Sequence, residues 1–384
     1  MAAVDPSFPA LPIAFLLSAV LLLFVLLTSF MQRSWNLGIT FLCFWLFVDN
    51  ITTAINMIIW SDNADIKLYV YCDIVTHTQV IAYVVKPMAT LIITRRLYMV
   101  ASLQSTGQAS DGKERKALLI EWTLGLVIPL LVAGPLYYVE QTARFQVVEG
   151  FGCGNARDSA ILDMLILQSW NIIPPLLSVI IYYPRVARVF FLQYRDSIRL
   201  LRGEGPGTRK NHLRILALAS IDILFTLPIG IASLMLNVKE LLDVGVFPFY
   251  PGWSVVHNYW EPLSVPYSEL QAIGSYAIAL QYITYWASPT LAFAIFGLFG
   301  LTVEARTSYS RLVEMIAGRF QWRRSSRAVM RGVSSTTSMD PSADVDESSH
   351  ETLSFDVEMG FPARASLVEG VAALGTHGAY AYPK

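Results

Sequence analysis

The chain has 384 residues, 54% of them hydrophobic and 15% charged, with a mean hydropathy of +0.48 and a formal net charge of −1. A soluble protein of this size needs far more polar surface than that, so the composition argues for a membrane protein. The near-zero net charge hides a segregation of basic residues along the chain and says nothing by itself; no nucleic-acid partner is expected.

Seven long apolar stretches follow one another. The first, Leu11 to Met31, has 21 residues without a charge. At about 1.5 Å per residue it crosses a hydrocarbon core of roughly 30 Å. No basic segment precedes it and no small-residue cleavage site follows, so it reads as a span rather than a signal peptide. The others run approximately over 36–59, 71–94, 117–139, 161–184, 213–236 and 271–300. The expected fold is an all-α membrane protein, a seven-transmembrane helix bundle over residues 1–302.

The connections differ in character. Trp60 to Tyr69 is short; 95–116 carries Gly107, Gly112 and serines; 140–160 carries Gly150, Gly152 and Gly154. The stretch Arg202-Gly-Glu-Gly-Pro-Gly207 reads as a basic hinge. The longest connection, 237–270, is aromatic, with Phe247, Phe249, Tyr250, Trp253, Tyr259 and Trp260. Beyond the spans, 303–331 is a basic amphipathic juxtamembrane segment with Tyr309, Leu312, Ile316 and Phe320 at helical spacing, suited to anionic membrane lipid. A solvated basic linker is the alternative reading. Residues 332–384 mix Ser and Thr with Asp and Glu and are expected to be a disordered cytoplasmic tail open to phosphorylation.

Charge sets the orientation. Of the 28 basic residues, Lys67, Arg144, Arg157 and Lys239 fall in one set of connections, and Lys86 lies inside the third span. All the rest fall in the opposite set and the tail. By the positive-inside rule the N-terminus is outside and the C-terminus cytoplasmic. Cys72 and Cys153 then share the oxidising side, and a disulfide between them is expected, with two free thiols as the alternative. Cys43 reads as a packed thiol within the second span.

Polar groups inside a membrane are costly and therefore informative. Lys86 and Asp49 lie at similar depths in spans three and two, and Asp222 in span six competes for the same lysine. A Lys86–carboxylate pair would hold spans two, three and six in a resting arrangement; the alternative is that each group faces interior water. Pro87, Pro129, Pro135, Pro174, Pro175, Pro228 and Pro289 interrupt the spans. No hydrolase, metal-binding, nucleotide-binding or cofactor motif is present, so no enzyme, cofactor or metal is expected. A retinal-type pump would need a lysine within 271–300, where none occurs. A transporter built from two similar halves would show an internal repeat, and none is seen. A seven-span transporter or lipid-handling protein without G-protein coupling remains the other functional class.

An ordered set of short segments carries a resemblance. They are Asn36-Leu-Gly38, Asn56-Met-Ile-Ile-Trp60, Cys72-Asp-Ile74, Arg95-Arg-Leu-Tyr98, Pro174-Pro175, Asn211-His-Leu-Arg214, Leu218-Ala-Ser-Ile-Asp222, Leu227-Pro228, Trp253 with His257, and Phe296-Gly297 through Glu304-Ala305. Over about residues 10–306 the chain resembles the fungal mating-pheromone receptors for lipid-modified, a-factor-like peptides, within the class D G-protein-coupled receptors. Tyr71 departs from the tryptophan that often precedes the Cys-Asp pair.

The resemblance implies a plasma-membrane receptor for a lipidated, farnesylated peptide pheromone, acting on a heterotrimeric G protein. A second copy of the chain is a further candidate partner. Ligand contacts are expected at Trp60, His77, Gln79, Trp253, His257, Tyr259 and Trp260. G-protein coupling is expected at Arg95 and Arg96, which close span three, and at Arg202, Arg209, Lys210 and Arg214 in the third inner loop. Interfacial anchoring explains aromatics equally well, and topology alone explains loop arginines.

Overall fold

The structure, a computed structural model, describes residues 4–31, 36–106, 111–157, 160–188, 206–245, 248–311 and 314. The chain divides into Met1–Trp322 and Arg323–Lys384. The second unit, with the expected tail at 332–384, lies outside the described residues, as do Leu312, Ile316 and Phe320.

The first unit is mainly helical. Helix α1 spans Ala10–Met31, α2 Leu37–Ile59 and α3 Tyr69–Thr106. Helix α4 covers residues 111–140, with wider π-helical turns at Thr123–Val127 and Val132–Leu136 around Pro129 and Pro135. Each proline removes a backbone donor, and the wider turn absorbs the missing bond. Helix α5 covers residues 161–188 and bends by 46° between Asn171 and Ile173, ahead of Pro174 and Pro175. Helix α6 spans Pro206–Val244 and α7 Ser275–Ile295, continued by a π-helical turn at Phe296–Gly300.

Five of these helices are long and apolar enough to cross a membrane, and the bent α5 makes a sixth if taken as one span. The protein is thus a multi-pass membrane protein by its helices. Side chains that only lipid would cover stand on the outside of the bundle, among them Ile13, Leu17, Ile74, Leu119, Ile180 and Leu224. Helix α3 falls outside this set because it carries Asp73, His77, Gln79 and Lys86. It is the central helix, packed against α2, α4, α5 and α6, and most of its length meets protein, while Val70 and Ile74 near its start are exposed. Val80, Val84, Val85, Met88, Ala89, Ile92 and Ile93 are all buried there. Leu42 and Leu46 of α2 join Val85, Ala89 and Ile93 with Leu218 and Ala219 of α6 and Leu291 and Ile295 of α7 in the largest core cluster.

The structure departs from the all-α expectation at one end. A three-stranded sheet, ordered β2-β1-β3, forms from β1 (Gln146–Val148), β2 (Gly152–Gly154) and β3 (Leu263–Val265). β1 pairs antiparallel with β2 and parallel with β3, so it ties together two connections more than a hundred residues apart. Helix α6 also starts earlier than its apolar run, placing Arg209, Lys210 and Arg214 in a helix rather than a loop. Of the expected juxtamembrane segment, 303–311 is helical, and Tyr309 sets its ring edge-on to Phe24 of α1 at 5.6 Å.

Candidate functional site

At the sheet end the connections are locked onto the helices. Cys72, in the first turn of α3, and Cys153, in β2, are disulfide-bonded with their Cα atoms 5.4 Å apart. The Cys153 carbonyl oxygen accepts from Asn56 Nδ2 at 3.0 Å and from Gln79 Nε2 at 3.1 Å. One strand residue therefore joins α2 and α3. Trp60 is fully buried beside it, donating from Nε1 to the Asp65 carbonyl at 2.8 Å and stacking on Tyr71. Its own carbonyl accepts from Gly150 N at 2.7 Å. Gly152 holds φ +80, and a Cβ there would come within 2.7 Å of the Asn56 Cβ.

Two further locks were not read from the sequence. Arg144 makes a two-pronged pair with Asp73, Nε to Oδ1 at 2.9 Å and Nη2 to Oδ2 at 2.6 Å. That hydrogen bonding to the charged form raises the guanidinium pKa further. The sequence signal was Arg144 itself, one of few basic residues on its side of the chain. The second lock is Asp5, which is buried and accepts from the Tyr282 hydroxyl of α7 at 2.6 Å; Val4 N donates to the Ser61 carbonyl at 3.0 Å.

The expected ligand-contact residues fall into groups. Trp60 and Gln79 sit under the sheet, held by the bonds above. His77 lies one turn below the disulfide, its Nδ1 2.9 Å from the Asp73 carbonyl and its ring edge-on to Tyr137. Trp253, His257 and Trp260 come together: His257 lies between the two indoles, at centroid distances of 3.9 and 5.7 Å. Tyr138, at the end of α4, meets all three rings. The two nitrogens of His257 approach the Trp253 and Tyr138 carbonyls at 3.1 and 2.9 Å. A neutral imidazole can donate to one of these at a time. Tyr259, 74% exposed, stands apart from this stack.

In mid-bundle Lys86 Nζ donates to Asp49 Oδ2 at 2.9 Å, and the Ser288 hydroxyl of α7 donates to the same oxygen at 3.2 Å. Asp222 takes other partners, Thr90 one turn further along α3 and Thr226 on its own helix. Thr94 reaches Ser178 of α5 at 3.2 Å.

At the opposite end Arg96 Nη1 lies 3.4 Å from Glu121 of α4. Arg95 has its Nη1 buried without a hydrogen bond among the described residues. Arg185 of α5 stacks over Tyr98 at 5.7 Å. Arg202 lies outside the described residues, and so do the side chains of Arg209 and Lys210; Arg214 is half-buried on α6. Among the described residues no cluster of three or more His, Cys, Asp or Glu could hold a metal ion.

Residues 10–320 match the family model described as STE3, Pheromone A receptor. The chain is similar to the pheromone B alpha 2 receptor of Schizophyllum commune, 29% identical over 307 residues, covering 80% of this chain and 46% of that protein. It is also similar to pheromone receptor 1 of Ustilago hordei, 26% identical over 306 residues, 79% of this chain and 82% of that one. The pheromone a factor receptor of Saccharomyces cerevisiae is 23% identical over 285 residues, 73% of this chain and 57% of that one. The chain spans about half the length of the Schizophyllum commune relatives it matches.

Proposed function

This chain belongs to the STE3 pheromone A receptor family, and we propose that it is a seven-span G-protein-coupled receptor for a lipid-modified peptide pheromone. The observation that carries this reading is the family match over residues 10–320, which takes in every helix from α1 to α7. Helix α3 is the seventh span, its polar groups tolerated because it stands at the centre of the bundle. The sheet end with the N-terminus faces outward, the arginine-rich end faces the cytosol, and the membrane is the plasma membrane.

Ligand recognition falls to the sheet end. Trp253, His257, Tyr259 and Trp260 offer aromatic surface, while Trp60, His77 and Gln79 hold the floor beneath it. A ligand acts by binding the signalling arrangement of the helices more tightly than the resting one; equal affinity for both shifts nothing. In the resting arrangement Asp49 joins α2 to Lys86 of α3 and Ser288 of α7. Arg95 and Arg96, with Arg202, Arg209, Lys210 and Arg214, supply the basic surface for a heterotrimeric G protein, and basic residues within 303–331 meet anionic lipid.

The test is a yeast reporter strain lacking its own pheromone receptor, expressing this chain and exposed to a panel of synthetic farnesylated, C-terminally methylated peptides. At least one peptide is expected to raise reporter output about tenfold or more over the unstimulated level, as a ligand that favours the signalling arrangement would. Silence across a broad panel, with the chain confirmed at the cell surface, rejects the reading.

A further inference from the structure

We infer that a cavity in the middle of the bundle, walled mostly by apolar side chains such as Phe225, Ile229 and Leu291, is a subsite for an uncharged carbonyl group, amide or ester, held by the Lys86 ammonium and the Asn171 side-chain amide. The cavity measures about 90 Å³ and is bordered by Tyr83 and Lys86 of α3, Asn171 of α5, Asp222 and Thr226 of α6 and Ala287 of α7. That is room for roughly half a dozen waters or one small functional group.

Three observations point to a hydrogen-bond acceptor as the occupant. An ammonium has three donors, and Lys86 uses one of them on Asp49. Its side chain is 26% exposed although it lies deep within α3, and the space it meets is this cavity. The Asn171 amide makes no hydrogen bond among the described residues, and it too borders the cavity. Its position is fixed by the fold. Asn171 ends the short turn before the 46° break in α5, and α6 lies against that break at Gly230. A Cβ on Gly230 would stand 3.1 Å from the Asn171 carbonyl oxygen, so the close approach depends on the glycine.

Charge selects among acceptors. Asp222 and Lys86 border the space, and Lys86 is already paired with Asp49, so the neighbourhood holds two carboxylates to one ammonium. An entering carboxylate would add an anion where anions already outnumber cations, at a high cost in a membrane interior. A cation would meet Lys86. A neutral carbonyl oxygen has two lone pairs, enough to accept one remaining Lys86 N–H and one Asn171 N–H without adding charge. The Asp222 oxygens are occupied by Thr90 and Thr226, which leaves the donors of Lys86 and Asn171 to define the site.

This assignment rests on the receptor reading only in naming the carbonyl as part of a pheromone, and its test uses the cavity alone. Full-length protein in detergent is unfolded by heat and followed with a thiol-reactive fluorogenic dye. The dye reports Cys43, which is buried and free, while Cys72 and Cys153 are bonded to each other. The probes are acetamide and sodium acetate at equal, high millimolar concentration; they share a shape and differ in charge. Acetamide is expected to raise Tm by about 2 °C or more and acetate not to do so. Ala287→Leu, which fills the space, is expected to abolish the shift. No shift with acetamide, an equal shift with acetate, or an undiminished shift in Ala287→Leu overturns the proposal. If Ala287→Leu fails to fold, Asn171→Leu replaces it and must at least halve the acetamide shift. A silent pheromone reporter beside a positive acetamide result would reject the receptor reading and leave the subsite standing.

Discussion

Asp49 Oδ2 is a single atom at which three helices meet, accepting from Lys86 of α3 and Ser288 of α7 while its own backbone belongs to α2. Removing the carboxylate charge leaves the ammonium in the bundle interior without its bonded counter-ion, with only Asp222, itself held by Thr90 and Thr226, across the cavity. Asp49→Asn is therefore expected to destabilise the folded bundle by about 3 kcal/mol, the lower end for a broken buried pair, since Lys86 keeps partial access to the cavity. The exchange Asp49→Lys with Lys86→Asp is expected to recover part of that loss in the same thermal-unfolding assay. A neutral Asp49→Asn would remove the pair from the account of stability. The match in depth between Lys86 and Asp49 was legible in the sequence; the choice between Asp49 and Asp222 was not. Depth follows from the rise per residue, whereas the direction a side chain faces depends on how its helix is rotated against its neighbours. Thr90, one turn along the same face of α3, takes Asp222 instead. Gly152 gives a second prediction at this scale. Its backbone is left-handed and a Cβ would strike Asn56 and Trp60, so Gly152→Ala is expected to cost roughly 2–4 kcal/mol, strain and overlap together. Equal thermal stability of the variant and the parent would contradict this.

The sheet that covers one end of the bundle depends on few fastenings, and the disulfide is the covalent one. It closes a separation of 81 residues between α3 and β2. Reducing or removing it is expected to lower stability by about 2–4 kcal/mol. Cys72→Ala, Cys153→Ala and the double variant should all lose the same amount, because each removes one and the same bond. A double variant that loses the sum of the two single losses would show the cysteines acting separately. The pairing was legible from the side of the membrane that charge assigned to both residues. The sheet was not, because its strands are three residues long and two of the three residues in β2 are glycine. Its third strand arrives from a segment whose aromatic content masks any alternation. The Asp73–Arg144 pair was missed for a related reason. It joins a helix start to a connection, and nothing periodic marks a contact of that kind. Helix ends shifted as well: the apolar run of α6 sets its membrane core, yet polar residues continue the helix back to Pro206 because their own hydrogen bonds need no lipid.

Across the whole molecule the helical unit shows two unlike ends, one fastened by a sheet, a disulfide and the Asp5–Tyr282 contact, the other carrying Arg95, Arg96, Arg185 and Arg214. Fastened connections transmit little motion among themselves, so a ligand that alters the bundle must act through the helices beneath them. The contacts available for that purpose are side chain to side chain: Lys86 with Asp49, Thr90 with Asp222, and Thr94 with Ser178. All three originate on α3, spaced four residues apart, so a rotation of α3 would loosen its ties to α2, α6 and α5 together. Such a mechanism needs α3 to run from one membrane face to the other, and an odd number of crossings overall. Epitopes placed at residue 4 and at residue 340 test the count. The first is expected to bind antibody on intact cells, and the second only after the membrane is permeabilised. Both epitopes accessible on the same face would mean an even number of crossings and would overturn the seven-span reading.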